Sequence, residues 1–314
     1  MTAVLQAGRP AAVRARTTER ASGSRLATLI LLVPAIVACG LLFVYPLVRI
    51  VVVSVTEPSL GLDNYLSLFT DGYTLRVLLR TLLVALGVAV LDLIMAYPFA
   101  LAMTVCGPRT RAILFTIVLI PFWTSALAKN FGWMILFQRN GLVDRFLSGT
   151  FGIDYPLLGT TPAVLIAMTQ VLLPFAVLPL YARLDQIDRR LLDAAQGLGA
   201  TRLRAFRQIY LPLSMPGVVA SGVLVFILSL GFYVTPALLG SPQQTLIAQL
   251  IMARVEQVLD FAGANAIGIF LLIVTMAMLL LSRQVSERAA RRQARPPGGG
   301  GPGAAAGLPK GAMP

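Results

Sequence analysis

LATLILLVPAIVACGLLFVYPLV, residues 26–48, contains no charged side chain and lies between Arg25 and Arg49. A helix needs about 20 apolar residues to cross ~30 Å of hydrocarbon, so this stretch predicts a transmembrane helix. Val37-Ala38-Cys39 resembles a lipoprotein cleavage site, but the apolar run continues to Val48, which is too long for the apolar region of a signal peptide. We therefore expect an uncleaved membrane anchor.

Five further stretches have the same apolar character and length. They are Thr81–Val105, Ala112–Phe137, Pro162–Ala182, Val218–Leu239 and Ala262–Ser282. The whole chain is 57% hydrophobic and only 12% charged, about half of the ~25% charged residues typical of a soluble domain. A water-soluble enzyme is therefore excluded. The sequence predicts an all-α, polytopic membrane protein with six transmembrane helices between residues 26 and 282.

The composition also limits the chemistry. The chain has no histidine and two cysteines, which excludes imidazole metal sites, Ser-His-Asp triads and four-thiolate zinc sites. We expect no catalytic residue and no metal site. An ion-coupled secondary transporter is the alternative class, but it would need several carboxylates or histidines within the spans. Asp92 is the one carboxylate there.

The net charge of +13 would suit a nucleic-acid partner if the basic residues were spread over one surface. They lie instead in residues 1–25, in the loop 183–217 and after residue 282. Since Lys and Arg concentrate in cytoplasmic segments, both termini are predicted to be cytoplasmic. The charge is then explained by topology and contact with anionic membrane lipids, without nucleic acid. Residues 1–25 and 283–314 are predicted to be disordered tails, the second one basic and then rich in Pro, Gly and Ala.

The loop of residues 183–217, which we call the EAA-like segment, has a helical pattern of its own. Asp188 is a candidate N-cap for a short helix to Leu198, and Gly199 supplies a position where a positive φ costs little. Thr201 can cap a second helix, which Pro212 and Pro216 are expected to end before the fifth span. Two short helices are thus predicted to meet at Gly199 on the cytoplasmic face.

A motif runs through this segment. It comprises Asp193-Ala194-Ala195, Gly199, Ile209 and Leu211-Pro212. The motif resembles the EAA loop of bacterial ABC importer permeases of the binding-protein-dependent class, with Asp193 where the family usually has glutamate. The resemblance implies a type I importer permease with the MetI-like fold in the bacterial cytoplasmic (inner) membrane. It further implies that these residues couple the permease to a separate ATP-binding cassette dimer.

The same resemblance implies two further partners. A second permease subunit would complete the solute path, and an extracytoplasmic solute-binding protein would deliver the solute. The chain has no Gly-x-x-x-x-Gly-Lys-Ser/Thr sequence, so ATP and Mg are expected in the partner ATPase and no cofactor in this chain.

Three other segments resemble a narrower group within this class. Pro121-Phe122-Trp123-Thr124-Ser125, Gln138-Arg139-Asn140-Gly141-Leu142 and Tyr233-Val234-Thr235-Pro236 resemble the first permease subunit of spermidine/putrescine importers. The favoured solute is therefore a polyamine. Relatives of the same class handle opines, thiamine, phosphonates or ferric iron, and these stay open as alternatives.

Four residues are candidates for the solute path. Trp123, Phe232 and Tyr233 lie in the family-like segments, and aromatic rings attract ammonium groups. The alternative for each ring is membrane packing or interfacial anchoring. Asp92 lies within the second span, where it can offer a carboxylate to a cationic solute or, as we favour, make a structural pair with Lys129 or a buried hydrogen bond.

Overall fold

The computed structural model describes residues 32–57, 59–152 and 155–293. These residues form helices and connecting loops, with no strand among them. The chain divides into two units, Met1–Val53 and Ser54–Pro314. The predicted tail at 1–25 and residues 294–314 of the tail predicted at 283–314 lie outside the described residues.

We number the helices in chain order. They are α1 (Leu32–Thr56), α2 (Asp63–Thr70), α3 (Gly72–Val105), α4 (Pro108–Trp123), α5 (Ala126–Phe137), α6 (Leu142–Phe151), α7 (Thr161–Leu184), α8 (Arg190–Gly197), α9 (Arg202–Leu230), α10 (Val234–Leu239), α11 (Ile247–Ala253) and α12 (Phe261–Gln293). Five of them, α1, α3, α7, α9 and α12, are long and apolar enough to cross a membrane. The prediction of an all-α membrane protein is confirmed.

The third predicted span, Ala112–Phe137, is not one straight helix. It breaks after Trp123, where the chain bends by 95° between α4 and the stretch Ala126–Thr150 that begins with α5. Thr124 and Ser125 have extended backbone angles, with ψ of 141° and 132°, which end one helix and begin the next. The amino group of Lys129 donates a hydrogen bond of 2.7 Å to the carbonyl of Pro121, one of the oxygens left without a helical partner by the break.

The fifth predicted span also differs from the expected single helix. α9 begins at Arg202 and runs without interruption through Pro212 and Pro216. A π-helical turn at Phe206–Tyr210 leads into the first turn that contains Pro212, so the missing N–H of this proline does not end the helix. The expectation that the two prolines separate a loop helix from the span is wrong.

The fifth span is interrupted instead near its other end. α9 stops at Leu230, and a separate short helix, α10, begins at Val234. Pro236 has no N–H to donate to the carbonyl four residues earlier, that of Phe232, so a continuous helix would lose this bond. The third and the fifth spans are therefore both discontinuous.

The interior of the second unit is formed by α3, α7 and α9. Val88, Met103, Met168, Leu180 and Val225 are among its fully buried side chains. At Gly222 of α9, a Cβ atom would stand 2.9 Å from Leu93 Cδ1 of α3. A larger residue at this position would displace the end of the Leu93 side chain, so the glycine favours close packing of the two helices.

The start of α3 is fixed by polar contacts at the end away from the EAA-like segment. The Asp71 carboxylate accepts hydrogen bonds from the backbone N–H groups of Tyr73 and Thr74 and so caps the helix. Arg254 Nη2 donates to the Thr74 hydroxyl at 2.9 Å, and Arg254 Nη1 lies 3.3 Å from the Asp260 carboxylate just before α12. These contacts join the segment after α11 to the first turn of α3.

α12 extends further than the sixth predicted span. The helix continues from Phe261 to Gln293, past residue 283, where the sequence was expected to become a disordered tail. Residues 283–293 contain neither Gly nor Pro and are rich in Arg, Gln, Glu and Ala, which favour helix.

Candidate functional sites

The EAA-like segment adopts the predicted helix–turn–helix geometry. Gly199 has a φ of +90°, and the Thr201 hydroxyl accepts a hydrogen bond of 3.3 Å from the N–H of Arg204. The first short helix starts at Arg190 rather than at the residue after Asp188. The Asp188 carboxylate nevertheless accepts the N–H of Arg190 at 2.9 Å, so it satisfies a donor of the first turn.

The motif residues divide into two groups by exposure. Asp193 and Ala194 are exposed and Ala195 is half-buried, on a helix with no buried residue. Ile209 and Leu211 are half-buried and Pro212 is exposed, at the start of the long part of α9. The first group thus forms a free surface, whereas the second joins that surface to the helical core.

The tip of the segment exposes large apolar side chains. Leu198 is 91% exposed and Leu203 is 67% exposed, on the two sides of Gly199. Apolar side chains grouped in this way with small residues are typical of a protein–protein contact surface.

The EAA-like segment is tied to the end of α3 by polar and aromatic contacts. The Arg189 guanidinium donates to the backbone carbonyl of Thr104, one of the last carbonyls of α3. The hydroxyl groups of Tyr97 and Ser214 lie 3.0 Å apart and link α3 to α9. The ring of Phe206 in the π-helical turn meets the ring of Tyr97 edge-on, with 6.3 Å between their centroids, so this turn contacts α3 directly.

The sequence did not identify the two arginines that donate hydrogen bonds to the last carbonyls of α3. Arg111 Nε donates a hydrogen bond of 3.1 Å to the Met103 carbonyl, and the Arg189 guanidinium donates to that of Thr104. Both carbonyls lie at the C-terminus of α3, where the helix itself offers no N–H partner. A signal was present, since basic residues follow the predicted end of the second span. The position of a basic residue predicts the side of the membrane on which it lies, but not the carbonyl oxygen to which its side chain donates.

The three aromatic candidates lie at the two breaks. Trp123 is the last residue of α4 and is 84% exposed, while Phe232 and Tyr233 occupy the gap between α9 and α10. The hydroxyl of Thr235 donates a buried hydrogen bond of 2.9 Å to Asn130 Oδ1, which joins α10 to α5. The structure therefore links the helices that follow the two breaks. Asn130 is a polar residue within a predicted span, and this feature of the sequence could have indicated a buried hydrogen bond here.

Asp92 has a different environment from the aromatic candidates. It is 0% exposed and lies on α3, within the interior that α3 shares with α7 and α9. Neither carboxylate oxygen has a hydrogen-bond partner among the described residues. The favoured interpretation, a pair with Lys129 or a buried hydrogen bond, is therefore wrong for the described residues: Asp92 has neither, and the Lys129 amino group donates to the Pro121 carbonyl instead. The four path candidates do not share one exposed surface.

Comparison with known proteins gives one family and consistent relatives. The model of the family "Binding-protein-dependent transport system inner membrane component" matches residues 7–294. The spermidine/putrescine transport system permease protein PotB of Salmonella typhimurium (strain LT2) is 35% identical over 236 residues, which covers 72% of this chain and 82% of that protein. PotB of Escherichia coli K12 is 35% identical over 228 residues with the same coverage.

A solved structure supports the same fold. A chain of a bacterial ABC transporter involved in the import of the acidic polysaccharide alginate superposes with a TM-score of 0.67 at 22% identity. The match covers 85% of this chain and 96% of that one. The MetI-like arrangement of helices expected from the EAA-like segment is confirmed.

Proposed function

Because this chain belongs to the family of binding-protein-dependent transport system inner membrane components, we propose that it forms half of the solute path of an ATP-driven importer for spermidine or putrescine. It is a multi-pass membrane protein and a transport component, not an enzyme. The observation that carries the polyamine assignment is the 35% identity with PotB over 82% of that protein. The proposed orientation places the EAA-like segment and both termini in the cytoplasm.

The proposed coupling site is the exposed part of the EAA-like segment. Asp193, Ala194 and Ala195 would enter a groove of one subunit of an ATPase dimer, where ATP and Mg are bound. Small side chains permit close approach, and the apolar Leu198 beside them would be buried in the contact. Movement of the ATPase would reach the membrane interior through the contacts of Arg189 and Tyr97 with α3 and α9.

A second permease subunit would complete the solute path, and an extracytoplasmic binding protein would deliver the solute. We propose that Trp123, Phe232 and Tyr233 contact the solute where the spans are discontinuous. A ring face attracts an ammonium group by about 0.5–2 kcal/mol, so several rings in succession suit a linear polyamine. The burial of Asp92 favours a structural role for this residue over direct contact with the solute.

The proposal is tested by uptake of labelled spermidine in a strain that lacks this gene and redundant polyamine systems. Wild type should restore uptake, and Asp193→Arg should abolish it while the protein remains in the membrane. Asp185→Arg is the matched control, because Asp185 is an exposed carboxylate of the same segment outside the motif.

Two results would contradict separate parts of the proposal. Failure of wild type to restore uptake of spermidine or putrescine would overturn the polyamine assignment. Full uptake by Asp193→Arg would overturn the assignment of the EAA-like segment to coupling.

A further inference from the structure

A groove opens on the surface of α3 and α7, near the end of α3 that lies away from the EAA-like segment. It has a volume of about 490 Å³ and is formed by Arg76, Leu79, Arg80, Leu83, Val84, Thr161 and Leu165. Apart from the two arginines and Thr161, every side chain that lines it is aliphatic. None of these residues is a candidate for coupling or for the solute path.

The two arginines stand one helical turn apart and face the same side of α3. Arg76 Nε donates 2.9 Å to the carbonyl of Gly72, and Arg80 Nη1 donates to the carbonyls of Gln243 and Thr245. Neither forms an ion pair with a carboxylate of the described residues. Each guanidinium therefore keeps its charge uncompensated and has further N–H groups free to donate.

An apolar stripe continues from the groove along α3. Leu79, Leu83, Leu86, Val90 and Ile94 follow one another at spacings of three and four residues, and they are 46–69% exposed. Such spacing places them on one face of the helix. The stripe covers roughly 20 Å between Arg80 and Ile94 at 1.5 Å per residue.

The length of α3 indicates that the arginines lie near a membrane surface. Arg80 is roughly 38 Å along the helix from Val105, which exceeds the ~30 Å of a hydrocarbon core. A charge at this depth can contact lipid headgroups while the stripe below it lies beside the acyl chains.

We propose that this groove binds a phospholipid with an anionic headgroup, such as phosphatidylglycerol. Its phosphate accepts hydrogen bonds from the free N–H groups of Arg76 and Arg80, and one acyl chain lies along the stripe from Leu79 to Ile94. Two uncompensated guanidinium groups match the negative phosphate, and guanidinium is the side-chain group best suited to phosphate. The aliphatic walls match the acyl chain, which a free phosphate ion lacks.

The test uses the intact importer complex reconstituted in nanodiscs of equal parts phosphatidylcholine and phosphatidylglycerol. After transfer to mild detergent, mass spectrometry measures the phosphatidylglycerol retained per complex. Arg76→Gln should weaken retention about tenfold, because a charge-assisted hydrogen bond is lost. Its one described hydrogen bond is to its own helix, so the variant is expected to fold.

Arg139→Gln is the matched control, since it removes one exposed positive charge elsewhere. Leu83→Gln should also reduce retention, because it places an amide in the acyl-chain part of the groove. Equal retention in Arg76→Gln and wild type would overturn the proposal. So would displacement of the lipid by inorganic phosphate, or cross-linking of Leu83→Cys to the second permease, which would show that a protein covers the groove.

Discussion

Single residues could be predicted from sequence wherever local backbone chemistry decides the outcome. Gly199 was expected at a turn and has a φ of +90°, and Thr201 was expected to cap a helix and does so. Local backbone chemistry does not decide whether Asp92 and Lys129 form a pair. Sequence gives the depth of each residue in a span but not the direction in which its side chain points, and the break after Trp123 directs Lys129 to Pro121.

The conformation of Gly199 leads to a prediction with an internal control. Gly197 and Gly199 both have open space where a Cβ atom would stand, but only Gly199 has a positive φ. Gly199→Ala should weaken co-purification of the ATPase, because an L-residue in a left-handed conformation costs about 1–2 kcal/mol and the turn would shift. Gly197→Ala should leave co-purification unchanged, since Gly197 ends α8 without a positive φ and alanine is a good helix former. Equal behaviour of the two variants would contradict a role for the turn geometry.

At the scale of helices, the existence of the spans was predictable but their interruptions were not. No charged residue lies between Arg111 and Lys129, so composition alone joins α4 to α5. At Pro212 the sequence predicted the end of a helix, but the helix does not end there. The π-helical turn allows α9 to continue through this proline. Both outcomes depend on hydrogen bonds between residues that local patterns do not bring together.

The link between α5 and α10 should contribute measurably to stability. Thr235→Val keeps the shape of the side chain but leaves Asn130 Oδ1 buried without its donor, which costs about 1–3 kcal/mol. We expect a lower Tm for the purified complex, whereas Thr116→Val should have little effect because that exposed hydroxyl bonds only within its own helix. If the double variant Asn130→Leu/Thr235→Val is as unstable as the sum of the two single variants, the bond does not couple the helices.

The cap of α3 gives a prediction for pH dependence. The Thr74 hydroxyl, followed by the N–H of Tyr73, lowers the pKa of Asp71 below its usual value near 3.8. A lowered pKa in the folded state means that the ionised cap stabilises the protein above the unfolded pKa and loses this effect as pH falls through the folded value. Between about pH 5 and about pH 3, Tm should therefore fall more for wild type than for Asp71→Asn. Asp63→Asn is the control, and a wild-type slope in Asp71→Asn would contradict the role of this carboxylate.

At the scale of the whole molecule, the number of crossings decides the orientation of the ends. Five of the described helices are long enough to cross unbroken, and α4 with the bent stretch Ala126–Thr150 makes a sixth crossing only if the two together traverse the bilayer. Six crossings place both termini on one side, whereas a re-entrant pair would place them on opposite sides.

We expect both termini in the cytoplasm, because the basic residues concentrate in the terminal tails and in the EAA-like segment. Fusion of green fluorescent protein to each end should therefore give fluorescence, and fusion of alkaline phosphatase should give no activity. Active alkaline phosphatase at the C-terminus alone would show that α4 and α5 form a re-entrant hairpin.

The unbroken course of α9 has a mechanical consequence. Its 29 residues form a stiff rod roughly 44 Å long, with Thr201 at one end and the gap before α10 at the other. A rotation of the rod by about 5° about one end would displace the other by roughly 4 Å, given that length. A small tilt imposed on the Thr201 end would therefore move the gap that contains Tyr233 by roughly 4 Å. The absence of a joint at Pro212 and Pro216 is what would transmit such a tilt over the full thickness of the membrane.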